Sequence, residues 1–200
     1  LFQQLSWEAP DWIILPAGNL GNTAAFGKAI REAHQWGLIT RRPRLAAVQA
    51  AGAAPFARSF EEGFARRYAV KAETVATAIK IGDPASYERA VTAIRETNGI
   101  VRSVSDPELL EAKAAIDAAG VGCEPASAAS LAGLRQMVRD GTVRPGEKIV
   151  AILTGHILKD PGLLLRYNQE MDPLPPGANR PIQIEPTMAD LERVLKKGER

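Results

Sequence analysis

The chain has 200 residues, of which 46% are hydrophobic and 24% are charged, and its formal net charge is +2. This composition is typical of an ordinary globular protein with a substantial core, for which one domain is the default. The small net charge gives no reason to expect nucleic acid or a membrane as partner, and no apolar run reaches the length of a membrane span.

The cysteine and histidine content indicates the compartment of the protein and whether it binds a metal. The single cysteine, Cys123, cannot form an intrachain disulfide and fits a reducing compartment, so we expect a cytoplasmic protein. Two histidines and one cysteine, widely separated, predict no metal site.

The first predicted elements enclose the segment with the strongest chemical pattern. A buried strand at 12–15 and a helix at 23–35 flank a turn made of Gly18, Asn19, Leu20, Gly21 and Asn22. Glycine permits positive φ and close approach of a ligand, asparagine tolerates the left-handed region, and the first N–H groups of a helix attract anions. No lysine follows the turn, and the spacing differs from the dinucleotide fingerprint. The pattern predicts a site for a small phosphorylated ligand, with a plain strand-to-helix turn as the alternative.

Further apolar runs and helical patterns alternate along the chain. Strands are predicted at 45–50, 100–104 and 148–153, and helices at 55–66, 83–97, 107–119 and 125–139. Asp83 is the expected N-cap of the second of these helices, and Ser105 or Asp106 that of the third. This order predicts an α/β fold with a mostly parallel sheet and helices on both faces.

The character of the chain changes after residue 160. Pro173, Pro175, Pro176 and Pro181 indicate a linker, because proline cannot join a central strand. Thr187 and Asp190 resemble a capping box, with Asp in place of Glu or Gln, at the start of a terminal helix. We therefore expect an α/β domain at 1–160 and a tail at 161–200 that packs on it.

Two more segments lie where an open α/β sheet binds ligands. One is a strand that ends in Thr154 and Gly155, and the other is a helix that opens after Glu124 with Pro125 in its first turn. Thr154 has a purely structural alternative as the end of a strand. Glu124 is explained equally well by the helix dipole, so we leave it out of the predicted site.

Four segments together resemble the threonine synthase family: PAGNLGNTAAF, TVATAIKIGDPASYERA, CEPASAASLAGL and LTGHILKDP. The resemblance extends over nearly the whole chain, in the right order. It implies an enzyme with a tryptophan-synthase-β-like fold that uses pyridoxal 5′-phosphate to convert O-phospho-L-homoserine and water to L-threonine and phosphate. By this resemblance, Gly18 to Asn22 bind the cofactor phosphate and Thr154 faces the pyridine nitrogen.

The resemblance also predicts that the chain is incomplete at its N-terminus. In this family a Schiff-base lysine lies well upstream of the phosphate loop, whereas only about fifteen residues precede the loop here and none of them is lysine. Lys80, Lys148 and Lys159 are nearest to the motifs, but none occupies that position. We expect a C-terminal part of the enzyme with no catalytic residue of its own, inactive in isolation, with a homodimer as a candidate assembly.

Two other functions remain open at this stage. A serine/threonine dehydratase or related enzyme shares the cofactor and a looser form of the loop, and it releases ammonia instead of phosphate. A non-catalytic regulatory domain that binds phosphate is the alternative from another class.

Overall fold

A computed structural model describes residues 1–175 and 177–197. Its sheet has four parallel strands: β1 Trp12–Pro16, β2 Arg44–Ala50, β3 Ile100–Val104 and β4 Ile149–Ala151. Their order across the sheet is β3-β2-β1-β4, which places β1 and the turn that follows it at the centre. The predicted parallel sheet is confirmed.

Helices cover both faces of this sheet, as predicted. The α-helices of the described chain are α1 Gly21–Gln35, α2 Pro55–Glu61, α3 Tyr87–Glu96, α4 Asp106–Ala118, α5 Ala129–Arg139, α6 Pro161–Leu165 and α7 Met188–Lys197, of which the last two belong to the tail. Successive residues of β1 enter opposite cores because side chains alternate along a strand. Trp12 packs in the core that contains Leu109 of α4, while Ile13 packs in the one that contains Ile30 of α1 and Ile94 of α3.

The start of α3 corrects the sequence prediction. Asp83 is not its N-cap, because the helix begins at Tyr87. The Asp83 carboxylate instead pairs with Arg67. The N–H groups of Ala85 and Ser86, which follow Pro84, bond to the Gly/Asn-rich turn, since Ala85 donates to the side-chain oxygen of Asn19 and Ser86 donates to its carbonyl oxygen.

Other boundaries also differ from the prediction. Helix α2 ends at Glu61 rather than Arg66, because Gly63 and Phe64 both adopt left-handed φ angles, +63° and +62°. Strand β4 is shorter than predicted at both ends. Ser105, and not Asp106, caps α4, in a capping box with Glu108.

The predicted helix at 125–139 and the first helix also have altered starts. Pro125–Ala128 is a 3₁₀ turn, and the α-helix α5 begins only at Ala129. Helix α1 begins at Gly21, two residues earlier than predicted, so that the end of the Gly/Asn-rich turn is already helical.

The tail combines buried and exposed segments. Leu163 and Tyr167 are buried, whereas Met188, Leu191 and Leu195 of α7 are exposed. The Thr187 hydroxyl accepts the N–H of Asp190, which is half of the predicted capping box. The division at residue 160 stays a prediction, and Pro176 and residues 198–200 of the predicted tail lie outside the described residues. In the described part of the chain, no helix combines the length and apolarity needed to cross a membrane.

Candidate functional site

The six residues predicted to bind the cofactor line a single cavity at the carboxyl end of β1. The cavity has a volume of about 320 Å³. Its lining comprises Pro16, Gly18, Asn19, Leu20, Gly21, Asn22, Ala78, Ile79, Glu124, Ala126, Thr154 and Lys159. Parallel α/β sheets bind ligands at this edge. The structure thus brings together residues that are more than 130 positions apart in the sequence.

The loop presents a continuous run of unpaired backbone donors. Within the described residues, no hydrogen-bond acceptor is found for any backbone N–H from Gly18 to Thr23. Regular pairing resumes on either side, where Ala17 donates to Val48 and Ala24 donates to Leu20. The Thr23 hydroxyl is also buried without a partner in this part of the structure. Such a run at a helix N-terminus favours an anion, because N–H groups without partners and the helix dipole both carry partial positive charge.

The conformation of the loop differs from the expectation in one respect. The residue with positive φ is Leu20, at 64°, rather than either glycine or an asparagine. Gly18 is required by close packing instead, since a Cβ there would lie 3.0 Å from the Ile79 Cα and 3.1 Å from the Ala78 carbonyl oxygen. A Cβ on Gly21 would meet no protein atom within 4 Å, so its environment leaves room for a ligand.

The asparagine at the centre of the loop has a structural role that the sequence did not indicate. The Asn19 side-chain oxygen accepts the N–H of Ala85 at 2.8 Å, and its backbone oxygen accepts the N–H of Ser86 at 3.2 Å. These bonds join the loop to the chain that precedes α3. The loop is therefore held from outside while its own N–H groups stay free.

On the opposite side of the cavity, Thr154 lies in a turn that is held by a buried serine. The backbone N–H groups of Thr154 and Gly155 both donate to the Ser127 hydroxyl oxygen, at 2.9 and 3.1 Å. The Thr154 and Ser127 hydroxyl oxygens are 3.0 Å apart. Thr154 lies three residues beyond the end of β4, so it belongs to the exit turn rather than to the strand.

Three residues outside the predicted site lie in it or directly against it: Glu124, Ser127 and Lys159. Glu124 is only 5% exposed, and its carboxylate forms an ion pair of 3.0 Å with the exposed Lys159 ammonium. Glu124 Oε1 also lies 3.4 Å from Thr154 Oγ1. These residues belong to the CEPAS and LTGHILKD segments, which the sequence already indicates as part of the ligand-binding edge. The two segments are about 30 residues apart, so their contact cannot be predicted from the local sequence.

The other chemically notable residues do not join the site. Burial raises the pKa of the Cys123 thiol to about 11, which favours the neutral thiol of a core residue over a reactive thiolate. A second cavity, of about 410 Å³, lies between α1 and α3 and includes Arg31, which is paired with Glu96 at 2.9 Å. No group of three or more His, Cys, Asp or Glu residues suitable for a metal occurs within 1–175 and 177–197.

Comparison with known proteins shows which family the sequence matches. The family described as pyridoxal-phosphate dependent enzyme matches residues 1–155. Threonine synthase of Methanocaldococcus jannaschii is 39% identical over 97% of this chain and 46% of its own length, and that of Methanosarcina acetivorans is 43% identical over 84% and 42%. The chain therefore spans less than half the length of these curated relatives.

A solved structure supports the same fold. The crystal structure of Escherichia coli threonine synthase matches with a TM-score of 0.62 at 19% identity, covering 94% of this chain and 44% of that one. At this identity the match concerns the fold alone. The predicted fold type is thereby confirmed, with the chain aligned to part of the larger protein.

Proposed function

We propose that this chain, which belongs to the family of pyridoxal-phosphate dependent enzymes, forms the cofactor-phosphate wall of a threonine synthase. The reaction would convert O-phospho-L-homoserine and water to L-threonine and phosphate. The observation that carries the proposal is the run of unpaired backbone N–H groups from Gly18 to Thr23, of which the residues Gly18 to Asn22 line the same cavity as Thr154.

The residues present fit the cofactor at both of its ends. A phosphate monoester needs several donors and a backbone that can approach closely, and the loop offers free N–H groups beside the open position at Gly21. The buried Thr23 hydroxyl, which has no partner in the described structure, is a further donor at this helix start. Pyridoxal phosphate, when bound, supplies an electron sink for loss of protons next to the substrate amine.

Thr154 would contact the pyridine nitrogen at the other end of the cofactor. A hydroxyl can donate a hydrogen bond to this nitrogen but, unlike a carboxylate, does not strongly favour its protonated form. We infer that this moderates the electron sink and suits elimination at the γ-carbon over transamination. The neighbouring Glu124 carboxylate forms an ion pair with Lys159 at 3.0 Å. This positive charge offsets the negative charge of the carboxylate, which would then stabilise a protonated ring nitrogen less.

The choice of threonine synthase among related enzymes comes from sequence similarity. Relatives of that name are about 40% identical to this chain, whereas similarity to the solved structures concerns the fold alone. O-phospho-L-homoserine is accordingly the proposed small-molecule partner. We also propose that the protein is located in the cytoplasm and that it assembles as a homodimer.

The test compares two substrates on the product of the complete reading frame that encodes this chain. With pyridoxal phosphate bound, we expect phosphate and threonine to form in equal amounts from O-phospho-L-homoserine, and ammonia release from L-threonine to be at least a hundredfold slower. Ammonia release without phosphate release would instead identify a dehydratase. Absence of any cofactor binding would identify a non-catalytic relative.

A further inference from the structure

The buried Ser127 hydroxyl has a hydrogen-bonding pattern that leaves one direction for its proton. A serine hydroxyl has two lone pairs and one hydrogen. Both lone pairs are used here, because the oxygen accepts the N–H groups of Thr154 at 2.9 Å and Gly155 at 3.1 Å. In the described structure the acceptor within reach of the remaining hydrogen is Thr154 Oγ1, at 3.0 Å. Ser127 therefore donates to Thr154.

This direction determines what Thr154 can offer to the cavity. Since its oxygen accepts from Ser127, its own hydrogen is free to point elsewhere. The protein acceptor nearby is Glu124 Oε1, whose distance of 3.4 Å is at the limit of a hydrogen bond. The other oxygen of this carboxylate, Oε2, is engaged by Lys159. An acceptor in the cavity at a normal distance would thus compete well for the Thr154 hydrogen.

We infer that Ser127 is a positioning residue that makes Thr154 a hydrogen-bond donor toward the pyridine nitrogen of the cofactor. The inference rests on the proposed function, because it takes the ring nitrogen as the acceptor. Only an unprotonated nitrogen has the lone pair that accepts such a bond. Ser127 is 0% exposed and does not itself line the cavity, so it would favour the unprotonated ring only through its contact with Thr154.

The chain provides a matched control for Ser127. Ser130 is also fully buried, and its hydroxyl donates to the carbonyl oxygen of Ile152 at 2.9 Å. Ser130→Ala therefore removes the same atom from the same layer of the structure without touching Thr154. Ser127→Ala removes both the acceptor for two N–H groups and the donor to Thr154.

The test measures binding of two ligands to the product of the complete reading frame that encodes this chain, by fluorescence titration. One ligand is pyridoxal phosphate, and the other is its analogue with C–H in place of the ring nitrogen. We expect Ser127→Ala to weaken binding of pyridoxal phosphate by roughly 3- to 10-fold more than binding of the analogue. Ser130→Ala should affect both ligands equally. In a Thr154→Val background, Ser127→Ala should produce no further difference between the ligands.

A second readout does not need the cofactor and reports on folding. Amide hydrogen exchange of Thr154 and Gly155 should accelerate in Ser127→Ala and stay unchanged in Ser130→Ala, because only Ser127 accepts these two N–H groups. Equal losses for both ligands in a folded Ser127→Ala variant would refute the inference alone. A complete wild-type protein that binds neither ligand would refute the proposed function, and this inference with it.

Discussion

Substitution of Gly21 by valine separates ligand binding from protein stability. A Cβ at this position meets no protein atom within 4 Å, and the glycine has no positive φ. In a helix, glycine is about 1 kcal/mol and valine about 0.6 kcal/mol less favourable than alanine. The free energy of unfolding should therefore change by less than about 1 kcal/mol. The branched side chain would enter the space that we assign to the cofactor phosphate.

We expect Gly21→Val to weaken binding of pyridoxal phosphate by at least tenfold, which corresponds to about 1.4 kcal/mol. Fluorescence titration measures the dissociation constant, and thermal unfolding without ligand measures stability. Gly162→Val is the matched control, because Gly162 also lies in the first turn of a helix with open space around its Cβ. Unchanged affinity in a Gly21→Val variant of normal stability would refute the assignment of the phosphate site.

Four further predictions follow from the site and its surroundings. Gly18→Ala should lower the free energy of unfolding by about 1–3 kcal/mol, because its Cβ would be forced against Ile79; an unchanged denaturation midpoint would contradict this packing. Thr154→Val should reduce cofactor affinity by about 1–3 kcal/mol and shift the absorbance of the bound cofactor, whereas no change in either would leave Thr154 a structural residue. Cys123 should resist iodoacetamide at pH 8 until the chain unfolds; its raised pKa contributes stability that is complete below pH 9.0 and is lost as the pH rises through about 11. Borohydride reduction with pyridoxal phosphate, followed by peptide mapping, should label no lysine stoichiometrically; quantitative labelling of Lys159, which lines the cavity, would identify a Schiff-base residue that the sequence comparison missed.

Local sequence predicted the elements whose determinants lie within a few residues. Strand β3 at Ile100–Val104 and the helix that Ser105 caps depend on an apolar run and a capping box, and both were found with the predicted bounds or within one residue. The Gly/Asn-rich turn was recognised for the same reason. Its donors belong to consecutive backbone positions, so their availability follows from the strand-to-helix order.

Tertiary contacts decided the boundaries where neighbouring segments compete for the same groups. Strand β4 ends early because side chains of the next layer take its polar groups, with Ser130 bonding the Ile152 carbonyl oxygen and Ser127 accepting the Thr154 N–H. Helix α3 starts late because Asn19 accepts the preceding N–H group of Ala85. Neither competition is visible in the local sequence.

The sequence by itself therefore determined the fold type, through alternating strand and helix patterns, and the position of the Gly/Asn-rich turn between strand and helix, through residues adjacent in the chain. Only the tertiary structure placed Ser127 and the Glu124–Lys159 ion pair beside Thr154. It also determined that the Ser127 hydroxyl donates its hydrogen bond to Thr154. The physical reason is that a hydrogen-bond network depends on distances and on which lone pairs are already used. Those quantities exist only once the two segments have packed together.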